Sequence, residues 1–227
     1  LVRPSSGIVQ IDGNNLASLD LNFYRHQVCL VDNHPTFFSG TIEENIRRAR
    51  PNISSNEFGE ILEVSGLSAI SKSLPEGLST HLDVSASTLS QSHKLIVAMA
   101  RGLATSSNLI LLDETAQSLD KYSQLHFKKN IDNITKGKTL ILVTNDLRFL
   151  TEFDHIIVME EGQIESHGTH DTLLNESKLF LISFAALILS GCAYNSPVPG
   201  VFFTGTTFPS GDKVKLNSAI KEIINSG

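Results

Sequence analysis

The stretch "NLILLDETAQSLD", Asn108 to Asp120, runs apolar from Leu109 to Leu112 and then sets two carboxylates side by side, Asp113 and Glu114. A hard cation such as magnesium takes carboxylate and water oxygens and also clamps substrate phosphates. A second carboxylate, one residue on, can orient or deprotonate an attacking water. Alone, the pair reads more simply as a loop cap, Asp113, and a solvated loop residue, Glu114. Phosphate chemistry would also call for a loop of the form G-x-x-x-x-G-K-[ST], whose backbone amides cradle phosphates. The nearest approach to it, "KGKT" at Lys136 to Thr139, has Asp132 at the first glycine position and leads into a strand-like run, so it reads as a helix-to-strand turn. His167 and His170 are spaced to share a helix face, but no third metal ligand is evident and "GTH" fits a helix start. Cys29, in an apolar run, reads as a buried small side chain, and its distance from Cys192 implies no disulfide framework.

The elements that must position these residues alternate along the chain. With 227 residues and 41% hydrophobic content there is enough chain for one domain and a small second one. A net charge of -6 argues against a broadly basic nucleic-acid surface. "GIVQIDG" (7–13) alternates as a short strand, and "QVCLVD" (27–32) is a second. Thr41 and Glu44 have capping-box spacing, and "NEFGEILEVSGL" reads as a helix that Gly66 can end. "KLIVAMARGLA" (94–104) is apolar nearly all round and is therefore a buried helix. "NLILL" and "KTLILVT" read as strands buried on both faces, separated by a helix with Phe127, Ile131 and Ile134 on one side. "HIIVMEEGQIESHG" is a hairpin about Glu161 and Gly162. Strand, helix and strand in this order predict an α/β fold, a mainly parallel sheet covered by helices, with ligands beyond the carboxyl ends of the strands.

The succession "GIVQIDG", "HPTFFSGTIEENI", "LPEGLSTHLD", "TLSQSHKLIVAMARGLA", "NLILLDETAQSLD", "TLILVTNDLRFL" and "HIIVMEEGQIESHGTHDTLL" resembles the nucleotide-binding domain of ABC transporters. It is nearest the exporter and secretion types and covers about residues 1–174. The resemblance implies a P-loop NTPase-like sheet with a helical signature subdomain, and ATP and magnesium as cofactors. It also implies a second nucleotide-binding domain and a transmembrane domain as partners, at the cytoplasmic face of a bacterial inner membrane. By position, Asp113 matches the magnesium-binding aspartate, Glu114 the glutamate that polarises water, and Asp120 the aspartate that communicates between paired domains. The remaining positions depart from the pattern. The signature "LSGGQ" stands here as Leu89, Ser90, Gln91, Ser92 and His93. The switch histidine falls on Asn145, the glutamine of the loop after the "QVCLVD" strand falls on Asn33, and the usual "GERG" is "DVSA", Asp83 to Ala86. Side chains at the glycine positions obstruct the approach of backbone amides to phosphate, and asparagine cannot shuttle protons as imidazole does. The resemblance also places the phosphate loop, and an aromatic residue that stacks on adenine, just before the point where this sequence begins at Leu1. The expectation is therefore an amino-terminally truncated, degenerate ATPase domain over residues 1–177 that lacks the first strands.

From Lys178 the character changes. "SKLFLISFAALILSGCAYNSPVPG" resembles a bacterial lipoprotein signal with Cys192 as the lipidated residue, followed by an irregular tail that faintly resembles TRL-like lipoproteins. A terminal amphipathic helix of the preceding domain is the alternative, which the patternless apolar run disfavours. On the lipoprotein reading, residues 178–227 form a separate segment, and the chain is a non-enzymatic remnant fused to a lipid-anchored protein.

Overall fold

Residues 4–105, 107–113, 115–177, 180 and 200–204 are described by the computed structural model of the chain. The first alternating segment closes into a small hairpin. β1 (Gln10–Ile11) and β2 (Asn14–Asn15) pair across Asp12 and Gly13, whose φ values of 50° and 75° suit a tight turn. The strand expected over residues 7–13 is shorter than its alternation suggests, because Ile8 and Val9 remain exposed with no sheet partner. α1 (Leu21–Gln27) then begins where the Asp20 carboxylate accepts the amides of Asn22 and Phe23, and it feeds β3 (Val28–Val31).

A helical layer follows. β4 (Gly40–Thr41) leads into α2 (Ile42–Arg47), which opens on the expected capping box of Thr41 and Glu44. α3 (Ser55–Ser65) opens on a second capping box, Ser54 with Glu57, and ends at Gly66 with φ 84°. A Cβ on Gly66 would also meet the His126 ring, at 2.9 Å. α4 (Leu67–Ser73) and β5 (His81–Leu82), which pairs with β4, precede α5 (Gln91–Ala104). α2, α3 and α4 all pack against α5, and residues Leu95 to Ala100 are all buried, as an apolar circumference requires.

The sheet is completed by β6 (Leu109–Asp113), α6 (Thr115–Ser118), α7 (Lys121–Ile134), β7 (Thr139–Thr144), β8 (His155–Glu160) and β9 (Gln163–Gly168). α8 (His170–Glu176) and β10 (Gly200–Thr204) follow. Strand order is β3-β6-β7-β10-β8-β9. β3, β6 and β7 are mutually parallel, and β10 runs antiparallel to both β7 and β8, so β8 shares their direction. Gly137, at φ 69°, turns the chain between α7 and β7, which confirms "KGKT" as a turn. The hairpin between β8 and β9 turns at Glu161 and Gly162, at φ 49° and 79°. His167 lies on β9 and His170 opens α8, so the two do not share a helix face, because Thr169 caps the helix between them.

One expectation about the sheet needs correction. In β6 and β7 only alternate residues, Ile110, Leu112, Leu140, Leu142 and Thr144, are fully buried; Leu109, Leu111, Ile141 and Val143 are half-covered. The second face has thinner cover than the apolar runs imply, and on β3 Leu30 is 58% exposed.

The closest packing between the helical layer and the sheet is α5 on β3, where Gly102 faces the Cys29 sulfur. Burial pushes the Cys29 thiol up to about 11, against the pull of Lys138 and Arg101, so it is an inert apolar group at neutral pH. A Cβ at position 102 would lie far inside van der Waals contact distance of that sulfur. Gly102→Ala should therefore cost about 1–3 kcal/mol through overpacking. Cys29→Ala in the same chain should restore part of the loss. Urea unfolding of the two single variants and the double variant measures this, and a double variant no more stable than Gly102→Ala would contradict the contact.

Candidate functional site

The parallel register brings the exits of β3, β6 and β7 to one edge of the sheet. Val31 pairs with Leu112 and Asp113 pairs with Val143, so Asp32 and Asn33, Asp113, and Thr144 and Asn145 leave the sheet side by side. The Asp113 residue is exposed at the end of an otherwise covered strand. Glu114 and Cys192 lie outside the described residues.

The loop after β3 is held along its length. His34 donates its amide to the Asp32 carboxylate at 3.0 Å, and Phe37 donates to the carbonyl of Val84 at 3.2 Å. Asn45, buried on α2, accepts the Phe38 amide at 2.9 Å and donates to the carbonyls of Phe38 and Thr41. Arg101 on α5 donates to the Thr36 carbonyl at 2.9 Å and lies over the Phe37 ring. Within this tight loop, Asn33 Oδ1 is buried and meets no hydrogen-bond donor among the described residues. A desolvated amide oxygen costs free energy unless something pairs with it. Asp113 ends the adjacent parallel strand, and an amide oxygen and a carboxylate are the donor types magnesium accepts, although among the described residues no group of three or more His, Cys, Asp or Glu is placed to hold a metal ion. The donor types at this edge suit that ion.

The segment Leu89 to His93 begins α5. Leu89 is buried, and Ser90 is the N-cap whose hydroxyl accepts the His93 amide at 3.2 Å. Gln91 donates its side-chain amide to the Asn33 carbonyl. Ser92 Oγ donates to the Asp120 carboxylate at 2.6 Å and accepts the Asp120 amide at 3.1 Å. Asp120 also accepts the amide and hydroxyl of Ser123 and caps α7. Desolvation works to raise the Asp120 carboxyl, but the hydrogen bonds from Ser92, from the Ser123 amide and hydroxyl, and from the Tyr122 amide outweigh it and hold the group below its usual range.

The loop before α5 has its own device. Asp83 accepts the Ser87 amide at 3.1 Å and the hydroxyls of Ser85 and Ser87, each at 2.9 Å, and these bonds hold its carboxyl down at about 2. Ala86, enclosed by that turn, has φ 46°, a conformation that suits glycine and costs a side-chain-bearing residue roughly 1 kcal/mol. At the exit of β7, Thr144 Oγ1 accepts the Asp146 amide, and Asp146 caps the following turn while forming a two-point ion pair with Arg148. Asn145, half-buried between them, is left at the ligand edge with its neighbours' polar groups engaged elsewhere.

A family profile described as ABC transporter matches residues 1–117 of this chain. The chain belongs to the ABC transporter family. It is 36% identical over 178 residues to ABC transporter B family member 2 of Dictyostelium discoideum, an alignment covering 78% of this chain and 13% of that protein. It is 31% identical over 176 residues to the ABC transporter ATP-binding protein YknV of Bacillus subtilis, covering 78% of this chain and 29% of that one. The chain thus spans less than a third of the length of these relatives. A solved bacterial Atm1-family ABC exporter with ATP bound has the same fold, with a TM-score of 0.76 at 24% identity, over 82% of this chain and 33% of the exporter chain. No helix among the described residues of this ABC-family chain is long and apolar enough to cross a membrane.

Sequence reasoning put Asp113 at a strand end and matched Asn33 and Asn145 to family positions; the strand register puts their loops at one edge, and the ties made by Gln91 and Ser92 were missed. The only available signal was that polar side chains occupy positions where the family pattern has glycine. A carboxyl held low in the fold contributes stability above its unfolded pKa, about 3.9, and loses that contribution as pH falls through its folded value. Ser92→Ala should therefore cost about 1 kcal/mol at pH 7 by removing a hydrogen bond to a charged group. Its difference from the parent should shrink as pH falls below the ordinary aspartate range and through the lowered value at which folded Asp120 takes up its proton. Urea unfolding at pH 7, 5 and 3 checks this, and a difference that stays constant with pH would assign the loss to packing.

Proposed function

We propose that this chain is the ATP-binding part of a B-family ABC exporter, with a site that holds nucleotide and magnesium and turns nucleotide over poorly by itself. The observation that carries the reading is the exposed Asp113 at the carboxyl end of β6, with the exit of the adjacent parallel strand β3 carrying the buried Asn33 oxygen, which meets no donor among the described residues. Asp113 and Asn33 would hold magnesium, which when bound supplies charge neutralisation at the phosphates. Glu114, next along the chain, is the residue that would orient water.

Phosphoryl transfer rests on positioning and charge stabilisation. Asn145 at the switch position offers a neutral amide instead of an imidazole, and the helix start that would present bare backbone to phosphate carries Gln91 and Ser92. Both changes favour binding over turnover.

The wider assembly follows from the same family membership. A cleft of about 450 Å³ is lined by Phe38, Glu44, Asn45, Arg47, Arg48 and Pro51, with the Arg48 guanidinium over the half-exposed Phe38 ring at 4.2 Å. Its mix of aromatic surface and cationic rim suits a short helix from a transmembrane domain. A second nucleotide-binding domain would face the Asp113 edge, and the chain would work at the cytoplasmic side of a membrane.

Equilibrium binding of labelled ATP with and without magnesium, combined with phosphate release, tests the reading on the full chain. Magnesium-dependent binding should weaken at least about tenfold in Asp113→Asn, as loss of a charged ligand implies. Phosphate release should be no faster from the parent than from Glu114→Gln. Failure to bind ATP would remove the nucleotide reading, and a parent turnover abolished by Glu114→Gln would overturn the claim of poor hydrolysis.

A further inference from the structure

Gln91 and Ser92 stand at the two glycine positions of the signature, and each side chain reaches a different loop of the candidate site. Gln91 donates to the carbonyl of Asn33, 58 residues earlier in the chain. Ser92 exchanges two hydrogen bonds with Asp120, 28 residues later. Asn33 lies in the loop that leaves β3, and Asp120 lies beyond α6, where it caps α7 on the connection that leaves the adjacent strand β6. A single turn of α5 therefore ties the exit of β3 to the start of α7, and that turn is itself anchored by the Ser90 cap and the buried Leu89 and Leu95.

We infer that Gln91 and Ser92 form an intrachain brace that fixes Asn33 and Asp120 relative to each other, and so sets the opening of the edge on which Asp113 lies. They are positioning residues, acting through the loops they hold. Glycines at these positions would have no side chain with which to make either tie. The departure from the glycine pattern thus has a structural consequence of its own: the start of α5 is engaged by its own chain.

Other ties isolate the contribution of Gln91. Thr36, Phe37 and Phe38 are held by Arg101, Val84 and Asn45, at the far end of the loop. At the near end, the His34 amide donates to the local Asp32 carboxylate, and the tie from α5 goes to Asn33. Loss of the Gln91 donor should therefore loosen residues 33 and 34 and leave 37 and 38 in place. If the brace is continuous, loosening should also pass through Ser92 to the Ser123 amide, which donates to Asp120 at 2.9 Å.

Only the functional consequence of the brace rests on the nucleotide reading; the brace belongs to the ligand-free chain and is tested there. Residue-resolved amide hydrogen exchange without nucleotide compares the parent with Gln91→Glu, a near-isosteric change that cannot donate. The expected result is roughly three- to tenfold faster exchange at His34, at least about twofold at Ser123, and no change at Phe37 and Phe38, the scale of one lost neutral hydrogen bond. Gln91→Ala should reproduce this pattern, and its stronger helix propensity keeps α5 intact. Unchanged exchange at His34, or acceleration confined to His34 with Ser123 unmoved, would overturn the brace. Absence of ATP binding would remove the proposed function and leave this result standing.

Discussion

The parallel pairing of β6 between β3 and β7 is the constraint on which the rest of the site depends. Its register sets Leu112 beside Val31 and Asp113 beside Val143, so the loops that follow leave from a common edge. A slip of one residue would turn Leu112 out of the core and Asp113 toward the opposite face. The fully buried Ile110, Leu112, Leu140 and Leu142 oppose such a slip, because each would give up roughly 1.5–3 kcal/mol of burial. An exposed carboxylate is thus held in place by aliphatic side chains that are themselves buried in the core.

α5 is the second organising element, and it works through contacts of different kinds along its length. Its middle is buried on all sides, its Gly102 admits close approach to Cys29, and Arg101 reaches the loop after β3. Burial lowers the affinity of that guanidinium for its proton, with Cys29 and Asp32 opposing the shift, but an arginine remains charged throughout the ordinary pH range. Its charge is used on a carbonyl and an aromatic face instead of a carboxylate, which holds the loop without neutralising the site.

Chain-specific chemistry is concentrated around the start of α5. Ala86 holds a backbone conformation better suited to glycine, the Asp83 cage compensates with three hydrogen bonds, and Gln91 and Ser92 put side chains where the family has none. Each substitution could be read in isolation as decay of the family pattern. Three of them instead have defined partners, and the resulting contacts join the helical layer to the sheet edge. Membership of the ABC transporter family accounts for the frame, and these local bonds distinguish this chain within it.

Much of this was legible in the sequence because it depends on neighbours in the chain. The helix start on Thr41, the stop at Gly66, the turn at Gly137 and the hairpin at Glu161 follow from residue types acting over three or four positions. Apolar periodicity likewise determined that α5 would be buried and that Asp113 would end a strand. Tertiary structure decided the rest. Cover on the second face of β6 and β7 depends on what packs there, so continuous apolar runs overstated it. Likewise, bonds from Gln91 to Asn33 and from Ser92 to Asp120 span 58 and 28 residues and exist only because the fold brings the exit of β3 and the start of α7 to one helix end. The sequence by itself determined which residues could do phosphate chemistry and which strands would carry them. Only the folded chain decided that the altered signature would turn inward onto its own loops, because hydrogen-bond partners are chosen by distance in space.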